Sequence, residues 1–244
     1  MTDRQRPVRI LHTCDIHLDD IAAGKSQLDD PAHRALIALV NMSIQVEADM
    51  ILIAGDLFDH NRVSEQVVEF ALEQLHRVQV PVLILPGNHD CLIAESVYLR
   101  EQFTSGNSNI RIFKDADGES FSFDKLDTAV WGKPITSFNG TLRPLEGIPP
   151  RGNERWQIAM AHGYYIEEES KWTRSHLISK AEIIQSDRDY IALGHLGTSW
   201  RICTTPTLAC YAAGPAAFGT VTIVELVNGI GAQARTAQLW QQEP

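Results

Sequence analysis

The chain has 244 residues, of which 44% are hydrophobic and 21% are charged, and its net charge is −10 at pH 7. This composition is typical of a globular protein with a large core, and it excludes a disordered chain. The negative charge excludes a general nucleic-acid-binding protein, because affinity for nucleic acid depends largely on lysine and arginine. It argues against a long polyanionic substrate without excluding one, because bound divalent cations would attract a phosphate ester locally.

The cysteines and the lack of a long apolar stretch bear on the cellular compartment. Cys14, Cys91, Cys203 and Cys210 are too widely spaced for a zinc knuckle and too few for a disulfide framework, so we expect free thiols in a reducing compartment. No apolar stretch has the length of a signal peptide or a membrane span. We therefore expect a cytoplasmic protein that does not contact a membrane.

The first half of the chain alternates short apolar strands with amphipathic helices. Apolar runs predict strands at residues 8–12, 50–54 and 80–85, and helical spacing predicts a helix over 30–48 and a second one that Ser64 caps. Strands that alternate with helices are typical of βαβ units, whose parallel strands are buried on both faces. The first half therefore predicts a parallel sheet.

The second half has more strands and fewer helices. A loop is predicted over 139–153, which is rich in glycine and proline. Strands are predicted at 110–113, 119–123, 128–131, 156–161 and 190–193, and a closing antiparallel set at 208–213, 220–227 and 232–239. With no linker in the chain, we expect residues 1–244 to form a single domain of two packed sheets with helices outside.

Five short polar segments each begin where a predicted strand ends. In open α/β sheets the ligand site lies beyond the carboxyl ends of the strands, so these segments should meet. Each segment alone is more often a turn or a helix cap than a site, but five such coincidences point to one site. The segments are 15–17 (DIH), 55–59 (GDLFD), 87–90 (GNHD), 161–163 (AHG) and 194–197 (GHLG).

Asp15, His17 and Asp56 are candidate metal ligands. In extended backbone, side chains two residues apart share a face, so Asp15 and His17 can bind one cation together. Asp56 follows the flexible Gly55, and its two oxygens allow it to bridge two cations.

Asn88, His162 and His195 complete the candidate ligand set with a carbonyl oxygen and two imidazoles. Oxygen and nitrogen ligands without thiolate suit manganese, iron or zinc better than calcium or copper(I). Two divalent ions, most suitably Mn²⁺, roughly 4 Å apart would clamp a phosphate and activate a bridging water for in-line attack.

The ordered motifs Asp-x-His, Gly-Asp-x-x-Asp, Gly-Asn-His-Asp, His and Gly-His resemble the calcineurin-like metallophosphoesterase superfamily, from about residue 8 to 227. Residues 10–18, 54–59 and 190–196 are similar to its DNA-repair exonuclease branch, the SbcD-type nuclease subunits. The resemblance implies an α/β fold, a four-layer α/β/β/α sandwich of two packed mixed sheets with flanking helices. It also implies that Asp15 and His17 bind one metal, that Asp56 bridges, and that Asn88, His162 and His195 bind the other metal.

The resemblance implies that His89 and Asp59 are catalytic without binding metal. In the family, the histidine that follows the metal-binding asparagine contacts the phosphate and helps the leaving group depart. The second aspartate of Gly-Asp-x-x-Asp, here Asp59, orients it. A carboxylate-held imidazole is well matched to proton donation near neutral pH, so the chemistry of the residues agrees with the family role.

Two departures from the family pattern limit the prediction. The family motif Gly-His-x-His ends in a second histidine that ligates the first metal, and this chain has Gly197 there. The metal at Asp15 and His17 would then keep three protein ligands, and it could survive with an extra water, bind more weakly or be lost. Repair exonucleases of this branch also carry a DNA-capping region after the core, and we expect no separate capping domain here. That expectation argues against processive DNA degradation.

We therefore predict a metal-dependent phosphoesterase that hydrolyses phosphodiester bonds and has exonuclease-like ancestry. Its substrate is a phosphate ester, and a nucleotide or a nucleic-acid end would fit. A small-molecule phosphatase or a cyclic-nucleotide phosphodiesterase is an open alternative, which the lack of a capping region favours. A second alternative is a non-catalytic subunit with a degenerate metal site that binds a partner protein. The oligomeric state is not predicted.

Overall fold

Two six-stranded mixed sheets form the centre of the computed structural model, which describes residues 6–104, 109–167, 176–203 and 207–240. In spatial order, the first sheet contains β14 (Gly231–Gln238), β13 (Thr220–Val227), β1 (Val8–Thr13), β2 (Met50–Ala54), β3 (Val82–Leu85) and β4 (Ile110–Ile112). The second contains β11 (Trp200–Cys203), β12 (Leu208–Tyr211), β10 (Tyr190–Gly194), β7 (Trp156–His162), β6 (Thr128–Gly132) and β5 (Glu119–Phe123).

The first sheet has the parallel core that the sequence predicts. Strands β1, β2, β3 and β4 pair in parallel, whereas β13 is antiparallel to β1 and β14 is antiparallel to β13. The strand predicted at 80–85 begins later, at Val82, because Pro81 has no N–H to donate to the ladder. The parallel strands point their carboxyl ends to one edge of the sheet, where the polar segments follow.

Helices α1 (Pro31–Gln45) and α2 (Glu65–Leu75) cover the outer face of the first sheet. The side chains of Asp30 and Ser64 accept hydrogen bonds from backbone N–H groups in the first turns, which stabilises both helix starts. Helix α1 ends before the predicted residue 48, because Glu47 adopts a left-handed φ of 51°. Among the described residues, no helix combines the length and the apolar character needed to cross a membrane.

Alternating side chains along the strands build separate layers of core. Leu11, Ile51 and Ile53 pack against the helices, whereas Ile10 and Leu52 pack between the two sheets. Side chains of a strand alternate between faces, so a strand that is apolar throughout supplies both layers. This arrangement explains why the strands of the first half are continuous apolar runs and not alternating ones.

The closing set of antiparallel strands was predicted wrongly in one respect. Strands β13 and β14 form an antiparallel hairpin as predicted, but β12 lies in the other sheet, where it is parallel to β10. Leu208 faces the inter-sheet core and Tyr211 faces the outer core of the second sheet, so both faces of β12 are buried. The pattern of a strand reports burial of its faces, and it does not identify the partner strand.

The outer layer on the second sheet is smaller than the helical layer on the first. It contains the short helix α4 (Lys180–Gln185) and a two-stranded parallel sheet of β8 (Tyr164–Ile166) and β9 (Leu177–Ser179). Two further helices, α3 (Glu101–Thr104) and α5 (Pro215–Phe218), and two 3-10 turns (Val97–Leu99 and Asp124–Leu126) complete the described elements. The fold is therefore the predicted pair of packed mixed sheets with helices outside.

The described cysteine side chains are reduced. Cys14, Cys91 and Cys210 are buried free thiols, as the spacing of the cysteines predicts. The side chain of Cys203 lies outside the described part of the structure.

Candidate active site

The five predicted polar segments meet at one edge of the sheet pair. They follow β1, β2 and β3 of the first sheet and β7 and β10 of the second. Backbone hydrogen bonds connect the first two segments, from Asp15 N to Gly55 O at 3.0 Å and from His17 N to Asp56 O at 3.1 Å. The backbone N–H of His195 donates to Asp15 Oδ2 at 3.1 Å, which connects the two sheets.

Four residues of this edge adopt left-handed backbone conformations that side chains disfavour. The φ angles of Asp15, His17, Asp56 and His195 are 51°, 56°, 56° and 94°. Such conformations cost roughly 1–3 kcal/mol each and cluster at functional sites, where the surrounding structure holds them. Here they turn all four side chains toward the same space at the strand ends.

Two glycines allow His162 to pack directly against β2. A Cβ atom at Gly55 would lie 1.9 Å from His162 Nδ1, and a Cβ atom at Gly194 would lie 1.8 Å from the backbone oxygen of Ala54. The His162 Nδ1 atom donates to the same oxygen of Ala54 at 2.8 Å. The glycines of the Gly-Asp and Gly-His motifs are therefore required by close approach of the two sheets.

If the His162 ring is neutral, its Nε2 atom and two nearby side-chain oxygens have no hydrogen between them. His162 Nε2 lies 2.9 Å from Asn88 Oδ1 and 3.2 Å from Asp56 Oδ2, and His195 Nδ1 lies 2.8 Å from the same Asn88 oxygen. Because His162 Nδ1 carries the proton given to Ala54, a neutral ring would direct a lone pair at two other acceptors. A second proton or a cation satisfies all three atoms.

Electrostatic interactions inside the cluster shift its pKa values strongly. Burial opposes protonation of His162, but the carboxylates of Asp56 and Asp15 outweigh it and raise its pKa to about 9. Burial would raise the pKa of Asp56, but interactions with the positively charged His162 ring and other neighbours together outweigh burial, so the pKa of Asp56 is lowered. Burial raises the pKa of Asp15, and burial together with His162 lowers that of His195 to about 4. The site therefore retains one positive charge beside Asp56, and a metal ion would replace that proton.

Asp59 contacts two imidazoles and not only the predicted one. Its Oδ1 atom lies 3.1 Å from His17 Nδ1 and 3.3 Å from His89 Nδ1. His89 Nδ1 also donates to the backbone oxygen of Asp59 at 2.9 Å, and the His89 N–H donates to Asp56 Oδ1 at 2.9 Å. The structure thus places Asp59 beside His89 as the predicted role requires, and it adds a contact to His17.

Two groups of side chains have the spacing to hold a metal ion, and both include Asp56. One group is His17, Asp56 and His89, the other is Asp15, Asp56 and His162, and within each group the ligand atoms lie within 4.8 Å of one another. Nitrogen and carboxylate oxygen donors of this kind fit divalent ions such as manganese, iron or zinc. His89, which is predicted not to bind metal, lies as close to a ligand position as the predicted ligands do.

These side chains line an open cavity of about 310 Å³. His162 is buried beneath it, and Gly197 lies on its wall. Among the described residues that line the cavity, none is lysine or arginine. Sequence reasoning missed three lining residues that belong to α5 or precede it, because only the Gly-Pro turn signal marks that segment: Gly214, Ala217 and Phe218.

A buried carboxylate below the cavity was also missed. Asp90 belongs to a predicted segment, but no role was predicted for it. It accepts hydrogen bonds from Gly87 N at 2.7 Å, from Phe58 N at 3.2 Å and from the hydroxyl of Tyr98. Burial and the nearby Asp56 carboxylate raise its pKa to about 6. Asp90 therefore connects the loops after β2 and β3 and positions both.

Comparison with known proteins gives one family and a set of similar folds. A model of the calcineurin-like phosphoesterase family matches residues 8–198. A solved structure from Thermus thermophilus is 13% identical, covers 96% of this chain and 100% of that chain, and has a TM-score of 0.62. A dimetal phosphatase from Danio rerio is 12% identical with a TM-score of 0.60 and coverages of 96% and 100%. A structure described as a novel archaeal phosphodiesterase is 15% identical with a TM-score of 0.52 and coverages of 94% and 99%.

Proposed function

The chain belongs to the calcineurin-like phosphoesterase family of metal-dependent hydrolases, and we propose that this member hydrolyses phosphodiester bonds with two divalent metal ions. The observation that supports this most is the position of Asp56, which is shared by two groups of potential ligands at the strand ends. A carboxylate that two ligand groups share is suited to bridging two ions. We further propose that the exonuclease-like motifs reflect a substrate with a nucleotide or a nucleic-acid end.

The proposed ligands divide between the two ions as the family pattern implies. Contacts of Asn88 Oδ1 with both His162 and His195, at 2.9 and 2.8 Å, support one set. The proximity of His17 Nε2 to Asp15 Oδ1, at 3.9 Å, supports the other. One ion would be held by Asp15, His17 and Asp56, and the other would be held by Asp56, Asn88, His162 and His195.

The charge of the cavity explains why the reaction needs metal. The carboxylates of Asp15 and Asp56 would repel a phosphate anion, and the described lining residues include no lysine or arginine. When bound, two divalent ions supply the positive charge that holds the phosphate oxygens, and they lower the pKa of a water molecule. Mixed oxygen and nitrogen ligands suit manganese, iron or zinc, and of these we propose manganese.

His89 is the proposed proton donor to the leaving group. Its Nδ1 atom is occupied by the backbone oxygen of Asp59, so Nε2 is the nitrogen available to a substrate oxygen. A proton on Nε2 makes the ring an imidazolium, and the Asp59 carboxylate at 3.3 Å would balance that charge. The His89 side chain is 43% exposed, so it can reach a substrate in the cavity.

A non-catalytic binding subunit is the second candidate function, and Gly197 favours it. Glycine offers no side chain where the family motif places a histidine ligand. The ion beside Asp15 and His17 would then have fewer protein ligands, and a protein that lost this ion would keep the fold without the activity.

The packed sheets share one inter-sheet core, which supports the proposal that the chain forms a single domain.

Hydrolysis of bis-p-nitrophenyl phosphate by metal-free protein, to which manganese, iron or zinc is added, tests the proposal. We expect metal-dependent release of nitrophenol, and Asp56→Asn should abolish it and reduce bound metal, because the carboxylate serves both ions. Asp124→Asn is the matched control, since Asp124 is exposed outside the cavity. Absence of hydrolysis with every metal would support the binding subunit. Normal turnover and metal content in Asp56→Asn would refute the bridging role.

A further inference from the structure

The position of Gly197 leaves space in the cavity wall beside the proposed ligands. A Cβ atom at Gly197 would have one heavy atom within 4 Å outside its chain neighbours, Phe218 Cε2 at 3.8 Å. Gly197 and Phe218 both line the cavity that contains Asp15 and His195. A side chain at position 197 would therefore contact the Phe218 ring, and glycine leaves that part of the ring open to the cavity.

The backbone of Phe218 is held firmly although its ring is exposed. Gly214, which precedes α5, packs so closely that a Cβ atom there would lie 3.0 Å from the backbone oxygen of Asp15. Phe218 N donates to Gly214 O at 3.1 Å. At the other end, Gly219 has a left-handed φ of 61°, and its oxygen accepts from Leu239 N at 2.7 Å. The backbone that carries the ring is thus fixed relative to Asp15.

Phe218 is an apolar ring that faces a polar cavity. Its exposed fraction is 46%, and no other phenylalanine, tyrosine or tryptophan is among the described residues that line this cavity. The neighbouring Ala217 adds a small apolar surface. A single exposed hydrophobic residue is ordinary on a protein surface, but this one lies beside the groups proposed to bind phosphate. A flat ring placed here would bury apolar surface and stack on Phe218.

We propose that Gly197, Ala217 and Phe218 form an aromatic subsite that binds the planar base of a nucleoside ester while its phosphate occupies the metal site. This inference rests on the proposed function of the same cavity. The cavity volume of about 310 Å³ suits one nucleotide and not a duplex, since small-ligand pockets span about 300–1,000 Å³. The net charge of −10 agrees with a small ester, because a long polyanion would be repelled.

Two esters with the same leaving group test the subsite, the p-nitrophenyl ester of thymidine 5′-monophosphate and methyl p-nitrophenyl phosphate. Base stacking on an aromatic side chain contributes roughly 1–3 kcal/mol, so Phe218→Ala should lower kcat/KM for the nucleoside ester about tenfold. The value for the methyl ester should change less than about twofold. Phe218→Leu should lose most of the preference for the nucleoside ester over the methyl ester, because leucine keeps apolar volume without a flat face. Gly197→Leu should also lose this preference, because the leucine side chain would fill the space beside the Phe218 ring.

Phe138→Ala is the matched control, because Phe138 is an exposed aromatic residue that does not line the cavity. Calorimetry with manganese-loaded protein gives a readout without turnover. Thymidine 5′-monophosphate should bind about tenfold more weakly to Phe218→Ala, and methyl phosphate should bind equally to both proteins. Equal losses of affinity for the two ligands, or no loss of affinity for either, would refute the proposed subsite. If the wild type hydrolyses neither ester, the proposed function fails, and the calorimetric comparison still decides whether the base binds.

Discussion

Removal of the Asp59 carboxylate should weaken metal binding more than it impairs proton donation by His89. The Asp59 Oδ1 atom lies 3.1 Å from His17 Nδ1 and 3.3 Å from His89 Nδ1. His89 Nδ1 also donates to the backbone oxygen of Asp59 at 2.9 Å, and any residue at this position retains that oxygen. Asp59→Ala therefore leaves His89 partly oriented, whereas His17 loses the carboxylate that lies beside its Nδ1 atom.

The expected loss follows from the exposure of this contact. Removal of a group that orients a metal-binding histidine typically costs about 10- to 100-fold in metal affinity. The Asp59 side chain is 40% exposed, so water replaces part of the contact, and we expect the lower end of the range. Manganese affinity should fall about tenfold in Asp59→Ala, which corresponds to about 1.4 kcal/mol.

Calorimetric titration of manganese into metal-free protein measures this effect, and the manganese concentration for half-maximal hydrolysis should rise in parallel. Asp59→Asn is the matched control, because it keeps a polar oxygen beside His17 Nδ1. We expect this variant to bind manganese nearly as well as the wild type. Unchanged affinity in Asp59→Ala would refute the proposed support of His17.

Three further predictions concern other groups. His89→Asn should lower turnover with little change in metal content, and the defect should shrink for esters with good leaving groups; an equal defect across leaving groups would refute the acid role. Gly197→His should lower the manganese concentration for half-maximal activity, because it adds a ligand to the ion beside Asp15. Tight binding of two equivalents of manganese by the wild-type protein in a titration would refute this prediction. Burial lowers the pKa of His12 to about 3 in the folded protein. As pH drops below about 6.5, His12 is protonated in the unfolded chain and not in the folded protein, so stability falls. Between pH 7 and pH 5, the free energy of unfolding, measured with urea, should fall in the wild type by about 2 kcal/mol more than in His12→Gln. Equal losses in the two proteins would refute this prediction.

The elements that were predicted correctly are those with a local cause. Ser64 caps α2 through its own side chain, and the strand at Met50–Ala54 is apolar throughout because both of its faces are buried. The five polar segments were also located from the sequence, because each begins where a strand pattern stops. Periodicity, capping and turn chemistry involve residues a few positions apart, so the sequence contains this information directly.

The partner of β12 could not be predicted, because its apolar pattern reports only that its side chains are buried. Pairing with β10 and not with β13 depends on where the chain crosses from one sheet to the other. The second contact of Asp59 has the same origin. The carboxylate reaches His17 because the loops after β1 and β2 are hydrogen-bonded to each other.

The sequence by itself determined the types and the order of the proposed ligands and the departure at Gly197. Tertiary structure alone decided that the space beside Gly197 faces Phe218, and that the carboxylates of Asp56 and Asp15 raise the pKa of His162 to about 9. These effects depend on distances of a few ångströms between residues that are far apart in the chain. Such distances arise only when the two sheets pack, because burial and close approach of charges exist only in the folded protein.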